Sequence, residues 1–300
     1  MSGQLLDSRR CATRAPAETS MPQATPLFPA RLHHLCLSVR DAKAMIDFYR
    51  DGLGLTSTRL PGGSWLLSGG ERSFVLEPGE PQRLVYSAYA PANAGQLDAL
   101  RDKLTRLGIR IGASPSPLFR DGAFSVTDPD GGAVVFGMPR GPGTSSDRLP
   151  GRLQHVVKRT AHVDRMTAFY CEALGFKVSD IVLEAPGAAT ACFLRSDPEH
   201  HSFAVFRASE PGFDHFSLEA SCWNDLRDWA DSFARLRVAL FWGPGRHGPG
   251  NNLFLMVRDP EGNAVEISAE IETIAEDRAP GEWQHGERTL NQWGGSWMRS

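Results

Sequence analysis

No apolar run in this chain is long enough to cross a bilayer as a helix, and no block of lysine and arginine is sustained enough to mark a polyanion-binding face. Lys and Arg number 32 against 35 Asp and Glu, a net charge of −3, which argues against a protein built around nucleic acid. Cysteine is scarce and unpatterned. Cys11, Cys36, Cys171, Cys192 and Cys222 are odd in number and include no Cys-x-x-Cys pair. That spacing speaks against a disulfide framework or a thiolate zinc site, and reduced thiols in a cytoplasmic protein are expected. What is present is a globular composition, 41% hydrophobic and 22% charged over 300 residues, enough for one large domain or two ordinary ones.

Residues 1–29 are rich in Ser, Thr, Pro and Ala, and they lack the apolar segment that a secretory signal needs. A flexible tail is expected there, with Met21 as an alternative start; Asp7 and Glu18 weigh against a transit peptide. A second break runs from Pro139 to Pro150, where Pro, Gly and Ser cluster, and reads as a linker over 140–150. It divides the chain into halves of similar length, and the halves match. Arg31-Leu-His-His-Leu35 aligns with Arg152-Leu-Gln-His-Val156, and Asp47-Phe-Tyr-Arg-Asp-Gly-Leu-Gly54 with Ala168-Phe-Tyr-Cys-Glu-Ala-Leu-Gly175. Near their ends, Thr127-Asp-Pro-Asp-Gly-Gly-Ala-Val-Val135 aligns with Arg258-Asp-Pro-Glu-Gly-Asn-Ala-Val-Glu266. The expected organisation is a duplicated domain, 30–139 and 151–270. A tail follows at 271–300, whose Trp283, Trp293 and Trp297 pack on the barrel or on a neighbouring subunit.

Each half divides again into strand, helix and three short strands. Leu97, Leu100, Leu104 and Leu107 recur at helical spacing before Gly108, and Leu226, Trp229, Phe233 and Leu236 repeat the stripe in the second half. The predicted fold is α+β: four βαβββ modules paired into two tandem domains, each a curled mixed sheet forming a cup with helices outside.

Two copies of a cup need only one working site, so their differences are informative. His155, His215 and Glu266 fall on three separate strands of the second half. Strand parity puts His215 with Ser217 and Glu219, and Glu266 with Ala264 and Ser268, on the faces that would line a cup. The first half keeps His34 but has Val85 or Tyr86 opposite His215, and Val135 opposite Glu266. Two imidazoles and one carboxylate suit divalent iron or manganese with coordination positions left open.

At these residues the chain resembles the extradiol ring-cleavage dioxygenases of the vicinal oxygen chelate superfamily, the two-domain kind, over roughly residues 31–270. The densest match is Gly245-Arg-His247, then Leu255-Met256-Val-Arg-Asp259-Pro260-Glu-Gly262-Asn-Ala-Val-Glu266, which departs from the family pattern where Met256 replaces a tyrosine. The resemblance implies that His155, His215 and Glu266 bind Fe(II), with Mn(II) an alternative, and that a catechol is cleaved beside dioxygen in aromatic catabolism. It implies a histidine near the metal that moves a substrate proton. Of His200 and His201, parity along His200-His-Ser-Phe-Ala-Val-Phe206 favours His200 for that task, leaving His201 for substrate contact. His247 would hydrogen-bond a substrate oxygen from its Gly/Pro-rich loop, and Met256 would pack on the ring. A homo-oligomer is expected. Other cups of the superfamily serve isomerase, lyase and thiol-transfer chemistry, and a metal-free protein that sequesters an aromatic compound is the reading from a different class.

Overall fold

Four times the chain runs strand, helix, then three strands. The first pass is β1 (Ala30–Val39), α1 (Ala42–Leu53), β2 (Thr56–Arg59), β3 (Trp65–Gly69) and β4 (Arg72–Pro78). The second is β5 (Arg83–Pro91), α2 (Ala94–Arg106), β6 (Gly112–Ala113), β7 (Phe124–Thr127) and β8 (Ala133–Phe136). The third is β9 (Arg152–Thr160), α3 (Val163–Ala168), β10 (Lys177–Ala185), β11 (Ala188–Arg195) and β12 (Phe203–Arg207). The fourth is β13 (Gly212–Ala220), α4 (Trp223–Arg235), β14 (Leu240–Arg246), β15 (Leu253–Arg258) and β16 (Ala264–Ala269). This computed structural model describes residues 27–141, 149–185 and 187–297. Most of the expected tail, Met21 included, and most of the expected linker lie outside the described residues. No helix among the described residues is long and apolar enough to cross a membrane.

Two helical segments end on glycine: α1 at Gly54, and α3, continued by a π-helical turn over Phe169–Leu174, at Gly175. Gly54 and Gly175 adopt left-handed φ of 69° and 91°, which cost a side chain strain and cost glycine little. The apolar stripes bury Leu97, Leu100 and Leu104 on α2 and Leu226, Trp229 and Phe233 on α4. They overshoot by one residue each. Leu107 and Leu236 cap their helices, where the chain turns off the core-facing side, and are 54% and 41% exposed.

Within each half, two modules join through an antiparallel central pair, β1 with β5 and β9 with β13. The sheets read β2-β3-β4-β1-β5-β8-β7-β6 and β14-β15-β16-β13-β9-β12-β11-β10, and each curls into an open cup. The C-terminal segment adds a ninth strand to the second sheet, β17 (Gly281–Gln284), parallel to β10 with Trp283 opposite Val182; α5 (Glu287–Leu290) follows. That segment therefore packs on the chain's own sheet.

One face of each sheet builds a core shared by both halves. Phe74 of β4 meets Phe216 of β13 at 4.9 Å between ring centroids, and Tyr89 of β5 meets Phe176 at 5.2 Å. The repeated Phe-Tyr and Asp-Pro motifs turn out to serve each other across the halves. Tyr49 Oη donates to Asp259 Oδ2 at 3.3 Å, and Tyr170 Oη to Asp128 Oδ2 at 3.4 Å. Buried Arg72 adds a third tie: its guanidinium donates to the carbonyls of Leu53, Leu149 and Gly151 and lies over the Trp229 ring. With the outer faces so committed, the inner faces are left to line the cups.

Candidate metal centre

His155 comes from β9, His215 from β13 and Glu266 from β16, three neighbouring strands whose inner-facing positions converge in the second cup. One ligand atom from each lies within 4.8 Å of the others, and all three side chains are buried. His215 Nε2 stands 3.4 Å from Glu266 Oε2, and His155 Nε2 3.9 Å from Glu266 Oε1.

The back of each imidazole is tied. His155 Nδ1 donates to Gln154 Oε1 and His215 Nδ1 to Asp214 Oδ1, each at 2.5 Å. With the proton held on Nδ1, both Nε2 lone pairs aim at Glu266, the arrangement by which outer partners orient metal-binding histidines. Burial pushes His155 down to about 3, so it stays an uncharged base at neutral pH. Burial works against ionising Glu266, but the imidazoles of His247, His155 and His215 around it outweigh that and hold its carboxyl below the usual range. Ser217 Oγ and Asn252 Nδ2 also donate to Glu266 Oε1, at 3.3 and 3.4 Å. Two imidazole nitrogens and a carboxylate oxygen, each oriented from behind, fit a divalent transition-metal ion.

Gln154 and Asp214 are residues that sequence reasoning missed, and the cause is specific. Neighbours on a regular strand point to opposite faces, so neither should touch the histidine that follows it. The β9–β13 pairing, however, skips register between Phe213 and His215 and again between Ser217 and Leu218, which leaves Asp214 and Gln154 as extra residues. A bulge at each turns both side chains toward the same side as their ligand.

His200 and His201 do not follow parity either, because neither belongs to a strand. β12 begins at Phe203; Ala204 and Phe206 face the cup and Phe203 and Val205 the shared core, and the alternation stops there. Ser202 Oγ instead meets Ser196 Oγ at 2.6 Å. As a result His201, which parity turned away, lines the cavity beside the three donors, its ring 4.4 Å from that of His155. Gln154 Nε2 holds this loop by donating to the His201 carbonyl at 2.6 Å. His200 lies behind, fully buried, its Nδ1 3.0 Å from His201 Nδ1 and its Nε2 3.0 Å from Asp180 Oδ2. The latter contact is off the N–H axis and is not a directed hydrogen bond. Asp180 is further held by Trp283 Nε1 at 2.7 Å and Arg278 Nη2 at 2.8 Å. That link from the C-terminal segment was invisible in the sequence.

His247 follows β14 directly, so half of the expected Gly/Pro-rich loop is strand. Its ring stacks on Phe254 at 4.0 Å, its Nδ1 donates to the Leu290 carbonyl, and its Nε2 lies 3.8 Å from Glu266 Oε2. Met256 is fully buried on β15, paired in register with Glu266 and packed in the cup's apolar lining with Trp242 and Phe254.

The description "Glyoxalase/Bleomycin resistance protein/Dioxygenase superfamily" belongs to the family model that matches residues 31–136 and 152–267, once for each half. The chain belongs to this superfamily. It is 28% identical to metapyrocatechase 2 of Cupriavidus necator, covering 93% of this chain and 94% of that one. It is 27% identical to biphenyl-2,3-diol 1,2-dioxygenase of Paraburkholderia xenovorans, covering 81% and 88%. Among solved structures, homoprotocatechuate 2,3-dioxygenase of Arthrobacter globiformis superposes with a TM-score of 0.75 at 25% identity, over 90% of each chain.

The superfamily's duplication lets the first cup be read position by position. The β1–β5 pairing also skips register twice, between Leu32 and His34 and between Cys36 and Leu37, leaving His33 and Val85 as the extra residues. Tyr86, not Val85, therefore occupies the place of His215. Ala88 pairs with both His34 and Val135, as Ser217 pairs with both His155 and Glu266, so Val135 stands for the carboxylate. Phe119 and Tyr86 pack against His34 at 5.0 and 5.6 Å, and Ser116 Oγ occupies its Nε2 at 2.8 Å. The first cup keeps the bulges and one histidine, and fills the rest with side chains.

Proposed function

We propose that this chain is an extradiol dioxygenase that opens the ring of a substituted catechol with dioxygen at a single Fe(II) held by His155, His215 and Glu266. The carrying observation is the buried donor set itself: two imidazole Nε2 atoms and one carboxylate, converging in the second cup. When bound, the ion supplies Lewis acidity for the two catechol oxygens and a redox centre for dioxygen. Extradiol relatives over nearly the full chain support this reaction over isomerase, lyase or thiol-transfer chemistry. The donor set supports it over metal-free sequestration.

The chain's own residues supply the rest. His201, held through Nδ1 by His200 and backed by Asp180, presents Nε2 to the cavity; it takes up a substrate proton and later returns one. His200 is thus a positioning residue, the reverse of what parity implied. His247, fixed by the Leu290 carbonyl, turns Nε2 toward a substrate oxygen and donates when its ring is protonated. Met256 brings polarizable bulk against the ring and no proton. Both iron and manganese accept these ligands, and iron is the ion we propose. The described cysteines, all free, support a reducing, cytoplasmic setting, and we place the enzyme there as a homo-oligomer in aromatic catabolism.

Anaerobic reconstitution with Fe(II) or Mn(II), then a screen of catechols for yellow ring-opened products, tests the reading. Stoichiometric iron with ring opening is the expected result. Protein that binds no metal, or binds iron and leaves every catechol intact, overturns it.

A further inference from the structure

The cavity enclosed by the donors and His201 measures about 20 Å³, room for little more than a water-sized body. Against it lies a chamber of about 540 Å³, and Phe206 and Leu290 stand in the wall of both. The chamber's buried side is apolar, formed by Val182, Ala191, Phe206 and Leu290. Its exposed side is polar. There exposed His285, whose Nδ1 meets the Oγ of buried Thr190 at 3.0 Å, stands with Arg207, which is ion-paired with Glu184. That pair compensates its own charges, and His285 keeps Nε2 as a second hydrogen-bonding atom.

Building on the dioxygenase reading, we propose that this chamber holds the ring substituent of the catechol, with Phe206 and Leu290 as the partition that the ring displaces to reach the donors. The substituent it fits is extended, apolar along its length and tipped by a neutral hydrogen-bonding group such as a hydroxyl. Its size decides the first point, because the chamber falls in the range of whole ligand sites, about 300–1,000 Å³, and a methyl group would leave it nearly empty. The order of its walls decides the second: apolar surface next to the donors, polar groups at the mouth. The compensated Arg207–Glu184 pair decides the third, since an anionic tip would meet Glu184 as well as Arg207.

The test uses the iron-loaded full chain with catechol and with methyl-, phenyl-, (4-hydroxyphenyl)- and (4-carboxyphenyl)catechols, in both 3- and 4-substituted series. In one series kcat/KM is expected to rise from catechol to phenylcatechol by at least about tenfold, to rise again for the hydroxyphenyl compound, and to fall for the carboxyphenyl one. Ala161→Trp and Ser209→Trp narrow the chamber from its exposed rim; each is expected to lower kcat/KM for aryl catechols at least about tenfold more than for catechol itself. His285→Leu is expected to erase the difference between hydroxyphenyl and phenyl. Turnover of catechol and methylcatechol without any aryl preference, or rim variants that slow every substrate equally, overturns the chamber assignment and leaves the dioxygenase reading standing. Failure of every catechol with iron bound overturns both.

Discussion

The two cups of this chain share a blueprint and differ in what fills them. Both have a bulge on each central strand, a histidine in the same place on the first strand and an Asp-Pro turn entering the last. In the second cup the next two positions are His215 and Glu266; in the first they are Tyr86 and Val135, and Phe119 packs against His34. The lesson is physical. A sheet curled by paired bulges presents inward positions whatever occupies them, and those positions become either a site or a core. A half-converted cup would bury a charge without partners, which explains why the two outcomes are so clean.

The largest effect expected from this contrast is on metal binding. His155→Ala, His215→Ala or Glu266→Ala should abolish stoichiometric iron and with it turnover, while His34→Ala leaves both unchanged, as read by metal analysis beside a melting curve. Loss of iron in the folded His34 variant would mean that the working cup has been misassigned.

Next in size is the histidine proposed to move the substrate proton. His201→Gln should retain iron and bind catechol yet turn over on the order of 10²–10⁴ times more slowly, the usual worth of a positioned acid or base. His200→Gln should cost less and shift the pH profile of kcat, since it acts only by holding His201. A reversal of these two, measured by single-turnover kinetics, returns the role to His200.

Third is stability. Val135→Glu places a carboxylate in the packed cup and should destabilise the fold by about 3–5 kcal/mol, the cost of an unpaired buried charge. Glu266→Gln removes a charge from the open cup and should leave metal-free stability within about 1 kcal/mol, because Ser217 and Asn252 can still bond the amide. Denaturant titration of the two metal-free variants distinguishes them; equal losses would erase the distinction between core and site.

The smallest contrast lies in the reciprocal Tyr–Asp ties. Asp128 is ion-paired with Lys158, whereas Asp259 has Asn263 Nδ2 at 2.7 Å, and burial pushes Asp259 up to about 6. A carboxyl raised above its unfolded value contributes stability that is complete below about pH 4 and is lost as pH rises through 6, up to about 2–3 kcal/mol. Asp259→Asn should flatten that loss and be neutral or stabilising at pH 7, while Asp128→Asn strands the Lys158 charge and destabilises. Urea midpoints at pH 4, 5.5 and 7 measure both.

Much was legible in the sequence because it rests on local chemistry and on repetition. The four modules followed from helical stripes, glycine stops and the duplicated motifs, and the cup that carries the candidate donor set stood out at two positions that differ between copies. His155, His215 and Glu266 stood out as candidate ligands because alternation holds along β16 and along the residues that follow each histidine, beyond the bulges at Gln154 and Asp214. What sequence could not supply begins where alternation breaks. Three bulges decide that Gln154 and Asp214 hold His155 and His215 from behind and that Tyr86, rather than Val85, stands in the place of His215. A non-strand turn before Phe203 decides that His201, rather than His200, reaches the cavity. Bulges and turns of that kind are set by pairing with strands distant in the chain, so no count along the sequence locates them. The same holds for contacts made only when remote segments meet: the Asp180 link to His200, the chamber under α5, and the tyrosines that cross from one half to the aspartate of the other.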